Sequence, residues 1–133
     1  IVVVATDAPV DARRLDCLAL RAPLGLGAAG SPISHGSGDY VLAFSTAEGV
    51  RSDYQSGTSR EQTELLRDDQ LSPLFQAVRD ATEEAVVNSV LQAETMTGYQ
   101  GRTVEALDPG QVVAICRKHG IVAAGAKWEL HAD

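Results

Sequence analysis

The chain opens Ile1-Val2-Val3-Val4-Ala5, an unbroken apolar run dominated by β-branched residues, and turns at Thr6-Asp7-Ala8-Pro9. A strand with one wet face alternates apolar and polar side chains. A run that is apolar on both faces predicts a central strand with cover above and below and a neighbour along each edge. Chain ends usually fray, so a segment of this kind at the end of a chain needs strong outside support. The run is therefore expected to be part of a sheet completed elsewhere, with strand neighbours from another chain.

The remaining pattern supplies helices but few strands. A helix-like stretch begins at Asp11 and runs to about Ala29, with Leu15, Leu18, Ala19 and Ala22 on one face. Pro23 and the glycines at 25, 27 and 30 predict a kink or weakening in its second half. Tyr40 to Thr46 reads as a second strand. Residues 48–70 are polar and charged, Glu61, Glu64, Arg67, Asp68 and Asp69 among them, and read as a long excursion. The clearest helix starts at Ser72, with Ser72 as its cap, Pro73 in its first turn and Gly98 as its stop. A last helix runs from Pro109 to His119 with Asp108 as N-cap and Gly120 beyond it. A short strand is expected around Ile121 to Ala123. The order strand, helix, strand, helix, helix makes this an α/β chain, and its length of 133 residues suits a single domain over 1–133.

Composition excludes several partners. With 18 acidic and 11 basic residues the net charge is −7, which disfavours nucleic acid or an anionic membrane surface as a partner. Apolar runs fall far short of a membrane span, and no basic n-region of a signal peptide opens the chain, so a soluble protein of the cytoplasm or periplasm is expected. Cys17 and Cys116 are far apart and lack metal-ligand spacing, as do His35, His119 and His131. The two cysteines read as buried, reduced thiols, with no metal site implied.

Two clusters could carry chemistry. In Ser34-His35-Gly36-Ser37-Gly38-Asp39-Tyr40, Ser37 and Asp39 are two residues apart, so in an extended chain they face one side. A hydroxyl beside a carboxylate suits proton handling, and the bare glycines leave room for a ligand. The same letters also suit a simple loop-to-strand junction. Glu94, Thr95 and Thr97 are the second cluster, expected at a helix end, where they either enter a site or satisfy the terminus. His119, in the last turn of its helix, fits a favourable partner for the helix dipole. Gly25-Leu26-Gly27-Ala28-Ala29-Gly30 matches a dinucleotide-loop pattern in letters. It ends a helix rather than joining a strand to one, which argues against a phosphate site.

Three segments, VVVATDAP at the start, GSGDYVLAFST at 36–46 and NSVLQAETMTG at 88–98, resemble the L-aminopeptidase/D-esterase and β-peptidyl aminopeptidase family of self-processing hydrolases. The chain is similar to the smaller, C-terminal (β) chain of such an enzyme. The resemblance implies a precursor that cuts itself to free a serine as first residue of the β chain, and that serine then serves as catalytic nucleophile. The family pattern puts it one or two residues before Ile1. The same pattern matches Ser37 and Asp39 as the second serine and acidic residue that hydrogen-bond the nucleophile, aspartate here replacing the usual glutamate. It further implies a four-layer αββα sandwich shared with a separate α chain, oxyanion and amine-binding groups on that chain, an oligomer of four αβ pairs, and neither metal nor cofactor.

The activity so implied is a serine aminopeptidase acting on short peptides, amides or esters through an acyl-enzyme. Two other readings remain: an acyltransferase of the ornithine acetyltransferase type, which uses threonine, and a non-catalytic subunit that binds amino compounds.

Overall fold

The computed structural model describes residues 1–52, 57 and 63–121. The chain divides into two compact units, Ile1–Val87 and Asn88–Asp133.

In the first unit, strand β1 (Val2–Thr6) pairs in parallel with strand β2 (Val41–Ser45), in the register Val2↔Val41 through Thr6↔Ser45. Helices α1 (Ala12–Ala19) and α2 (Ala22–Ala28) make the crossover a parallel pair requires. Asp11 caps α1 as the sequence predicts, its carboxylate accepting from the Arg14 backbone N–H at 3.0 Å. The expected kink is a full break at Leu20-Arg21. Pro23 cannot donate to residue 19, and its ring blocks that carbonyl, so α1 ends at Ala19 and Pro23 sits in the first turn of a new helix that begins at Ala22. Gly30, at φ +103°, turns the chain out of α2.

Helix α3 (Ser72–Leu91) begins one residue earlier than expected. Ser72 is its first helical residue and not its cap, and the Phe75 N–H bonds to the Leu71 carbonyl at 3.0 Å. Val10, Leu18 and Ala22 are fully buried and, with Val4, Leu71 and Val78, form the core, with Val2, Leu15, Val41, Ala43, Leu74 and Phe75 around it. Every strand residue in that set is on one face of the sheet. The other face carries Val3, Leu42 and Phe44, 60%, 63% and 46% exposed. Among the described residues the run expected to be covered on both sides is covered on one, the face on which α1, α2 and α3 contribute to the core. Beside β1, a groove of about 250 Å³ runs between the strand edge and Ala77, Ala81 and Ala85 of α3.

The excursion starts with a 3₁₀ turn at Glu48–Val50 and returns through another at Asp68–Gln70. Its return is fastened to the core. The Leu66 N–H bonds to the Pro9 carbonyl at 2.8 Å, and Asp68 pairs with Arg13 at 2.7 Å and with Arg14 at 2.9 Å. Glu61 lies outside the described residues.

In the second unit α3 stops at Leu91, well short of Gly98. Gly98 instead shapes a hairpin, β3 (Met96–Thr97) against antiparallel β4 (Thr103–Val104), around a 3₁₀ turn at Tyr99–Gly101. Gln100 sits there at φ +58°, an uncommon conformation for a residue with a side chain. Helix α4 (Pro109–Lys118) follows the expected pattern, with Asp108 accepting from the Gly110 N–H at 2.8 Å and Gly120 at φ +71° just beyond. Ile121 lies in a bend, and the rest of the expected last strand falls outside the described residues. No described helix is long and apolar enough to cross a membrane.

Candidate active site

The approach to β2 is a tight turn. The Ser37 N–H bonds to the Ser34 carbonyl at 2.9 Å, and Gly36 takes φ +92°, which a side chain would strain. The turn delivers Ser37 and Asp39 to one side, where the Ser37 hydroxyl donates to Asp39 Oδ2 at 2.7 Å. A hydrogen bond to a carboxylate at this length is charge-assisted and stronger than one between neutral groups. It fixes the hydroxyl rotor, leaving the serine's lone pairs free to accept from a third group. Both residues are exposed in this chain.

The start of β1 lies beside this pair. The Val2 N–H bonds to the Tyr40 carbonyl at 2.9 Å, the first rung of the parallel ladder. Continued one step back, the register sets Ile1 opposite Tyr40. The Tyr40 ring turns across Gly38, its Cε2 3.4 Å from the point a Gly38 Cβ would occupy. The sequence showed Ser37 and Asp39 as a pair but did not single out Tyr40. The parallel pairing that brings it next to Ile1 involves residues thirty-nine positions apart, and short-range pattern does not report it.

The second cluster is assembled differently from expectation. Glu94, Thr95 and Thr97 are not at a helix end but in and before β3. Thr95 Oγ1 accepts from the Ala106 N–H at 3.0 Å, and the Thr97 and Thr103 hydroxyls bond at 2.9 Å. Both threonines are used in closing the hairpin, and the cluster belongs to the second unit. His119 caps α4, its N–H bonding to the Ile115 carbonyl at 3.1 Å, and His35 is exposed in the turn before Ser37. His131 lies outside the described residues.

The Gly25–Gly30 pattern has a packing explanation. A methyl at Gly25 would collide with the Arg79 carbonyl and lie 2.7 Å from Thr82 Cβ, so this glycine lets α2 press against α3. Cys17 and Cys116 are free thiols, half-buried rather than fully buried. Among the described residues no group of three or more His, Cys, Asp or Glu side chains could hold a metal ion.

Several known proteins similar to this chain in sequence and fold are named as aminopeptidases. The chain is 42% identical over 125 residues to a beta-peptidyl aminopeptidase of Sphingosinicella microcystinivorans, a match covering 93% of this chain and 31% of the relative. A second beta-peptidyl aminopeptidase, from Sphingosinicella xenopeptidilytica, is 35% identical over 88% of this chain and 29% of its own length. The chain thus spans about a third of the length of these relatives. In three dimensions it superposes on the L-aminopeptidase D-Ala-esterase/amidase of Ochrobactrum anthropi, described as a prototype for the serine aminopeptidases and a variant of the Ntn hydrolase fold. That match has a TM-score of 0.80 and 36% identity, covering 92% of this chain and 34% of that one. A beta-aminopeptidase of Burkholderia sp. matches with a TM-score of 0.75 and 32% identity, over 89% of this chain and 35% of its own. Residues 1–104 match the model of peptidase family S58, and the chain belongs to that family.

Proposed function

We propose that this chain is the C-terminal (β) part of a self-processing serine aminopeptidase whose nucleophile is a serine just upstream of Ile1. The observation that carries the reading is the register of β1 on β2. Continued upstream, it sets the residue before Ile1 opposite Asp39 and the one before that opposite Gly38, between Ser37 and Asp39. Paired strands are about 4.8 Å apart, within reach of side-chain hydrogen bonds. A serine there is one cross-strand step from the segment that carries Ser37 and Asp39, and in this reading the Ser37 hydroxyl accepts a hydrogen bond from it and holds its rotamer.

The chemistry follows from that geometry. The serine Oγ attacks the carbonyl carbon of the substrate's first residue, and its proton moves to the serine's own α-amine. Such an amine has an ordinary pKa of about 7.7–8.0 and is partly neutral near pH 7. The C–N bond of the amide, or the C–O bond of an ester, then breaks. The proton leaves with the departing amine or alcohol, and the acyl-enzyme remains. Water attacks the acyl ester, releasing the free amino acid and restoring the hydroxyl. A nucleophile anchored on a packed strand is held in place as a frayed end is not.

The larger, preceding part of the precursor is the expected partner. The one-sided cover of the sheet, the groove along β1 and the coverage of only a third of the relatives support it. In this reading it supplies the second layer of an αββα sandwich, the oxyanion donors and the group that binds the substrate's amine, and four such pairs assemble. Membership of a peptidase family favours hydrolysis over acyl transfer or simple binding.

Mass spectrometry of the full-length product tests the proposal. Two chains are expected, the smaller starting at a serine one or two residues before Ile1. An active enzyme that remains one uncut chain overturns it.

A further inference from the structure

The ring of Tyr40 has no role in the proton chemistry, yet it occupies the ground next to it. Its carbonyl accepts the first ladder bond from Val2 at 2.9 Å, and its ring crosses Gly38, the residue between Ser37 and Asp39. The ring remains 68% exposed in this chain, and Ile1, its cross-strand partner by register, is 91% exposed. Neighbouring strands lie about 4.8 Å apart. The register continued one step back sets Tyr40 and Ile1 side by side, two exposed apolar side chains next to the chain segment that carries the Ser37–Asp39 pair. Gly38 contributes nothing that would separate the two.

We propose that Tyr40, with Ile1, is the apolar wall against which the side chain of the substrate's first residue rests. Tyr40 thereby sets a preference for substrates whose first residue carries an aliphatic or aromatic side chain. The inference rests on the reading of the function above and names the substrate class of that same site. A residue attached through its carbonyl to a serine opposite Gly38 has its α- and β-carbons within one cross-strand step of Tyr40. A planar ring there offers a large contact area at a small entropic cost. The phenol is not required for this role, so the ring is expected to matter more than its hydroxyl. Tyr40 is a specificity-determining residue in this account and moves no proton.

The test uses the full-length precursor, made as wild type, Tyr40→Phe, Tyr40→Ala and Tyr40→Trp. Each is checked for self-cleavage by mass spectrometry and assayed on anilides of glycine, alanine, leucine and phenylalanine. Tyr40→Ala is expected to lower kcat/KM for the leucine and phenylalanine substrates relative to glycine about tenfold, mostly through KM, in line with the loss of one apolar pocket contact. Tyr40→Phe keeps the wild-type ratios. Tyr40→Trp, which enlarges the wall without removing it, shifts the preference from phenylalanine toward alanine by severalfold, and this variant stands in if Tyr40→Ala does not fold. A merely structural Tyr40 would change thermal stability or the yield of cut enzyme but leave the ratios among substrates alone, and that result overturns the inference while leaving the peptidase reading intact. A wild-type precursor that neither cuts itself nor releases any anilide overturns both.

Discussion

At the scale of single residues, the Ser37–Asp39 hydrogen bond is the contact with the most direct consequence. The Ser37 hydroxyl and Asp39 Oδ2 are 2.7 Å apart, and Asp39→Asn preserves size while removing the charge that strengthens this bond. Self-cleavage and amide hydrolysis by the full-length protein are both expected to fall by about 10²-fold or more in Ser37→Ala and in Asp39→Asn, the lower range for loss of a proton-handling group. Rates within error of wild type in Ser37→Ala would remove this serine from the mechanism. Gly25 makes a different kind of prediction. Alanine favours helix interiors over glycine by about 1 kcal/mol, but a methyl at this position meets the Arg79 carbonyl and Thr82. Overpacking costs about 1–3 kcal/mol, so Gly25→Ala is expected to lower the stability of the folded protein on balance. Denaturant titration of the variant checks the sign, whereas the same change at Gly27, which has open space around it, is expected to be neutral or stabilising.

At the scale of elements, the legible parts of the sequence are those whose causes are local. Asp11 and Asp108 cap helices through bonds that span two or three residues, and Pro23 breaks one through its own ring. Such signals can be read from neighbouring letters. The end of α3 could not, because Gly98 marks a turn with equal force in a hairpin and after a helix. The pairing of Met96 with Val104 and the Thr97–Thr103 bond decided between them, and those partners are six to eight positions away. The Ser37–Asp39 pair was legible through its i, i+2 spacing. Its proximity to the start of β1 was not, since that depends on a parallel register. Leu18 anchors α1 in the core with no exposed surface, and Leu18→Ala is expected to cost about 2–5 kcal/mol through lost burial and the cavity left behind. A second element-scale prediction concerns the returning arm of the excursion. The Arg13 guanidinium holds the Asp68 carboxyl below its ordinary range, and the Arg14 backbone N–H does the same for Asp11. A carboxyl whose pKa is lower in the folded than in the unfolded chain adds stability fully present above the unfolded value of about 3.9 and lost as pH falls through the folded value. Melting temperature is expected to drop as pH falls below about 4, and less steeply in Asp68→Asn. The pairs are exposed, so 1 M salt is expected to shrink the difference between the two proteins.

At the scale of the whole molecule, the sheet has one open face and one open edge among the described residues. Its helix-covered face is dry, while Val3, Leu42 and Phe44 line the other, and the β1 edge has no strand neighbour besides β2 among the described residues. Apolar strand edges of this kind recruit other chains. Produced alone, the chain is expected to self-associate in size-exclusion chromatography, and, on the proposed function, co-expression with the preceding part of a precursor is expected to suppress this. A monodisperse monomer would show that the open face needs no cover. The register carries a further consequence. Because side chains alternate faces, the strand works as a ruler with one mark per residue, about 3.3 Å apart. In the function proposed above, inserting one residue between the cut and Val4 would turn the nucleophile to the opposite face, whereas removing two would keep the face but draw it back by about 6.6 Å, past the Ser37–Asp39 pair. On that proposal the distance from cleavage point to core is counted in whole residues, and the letters of the run can vary far more easily than its length.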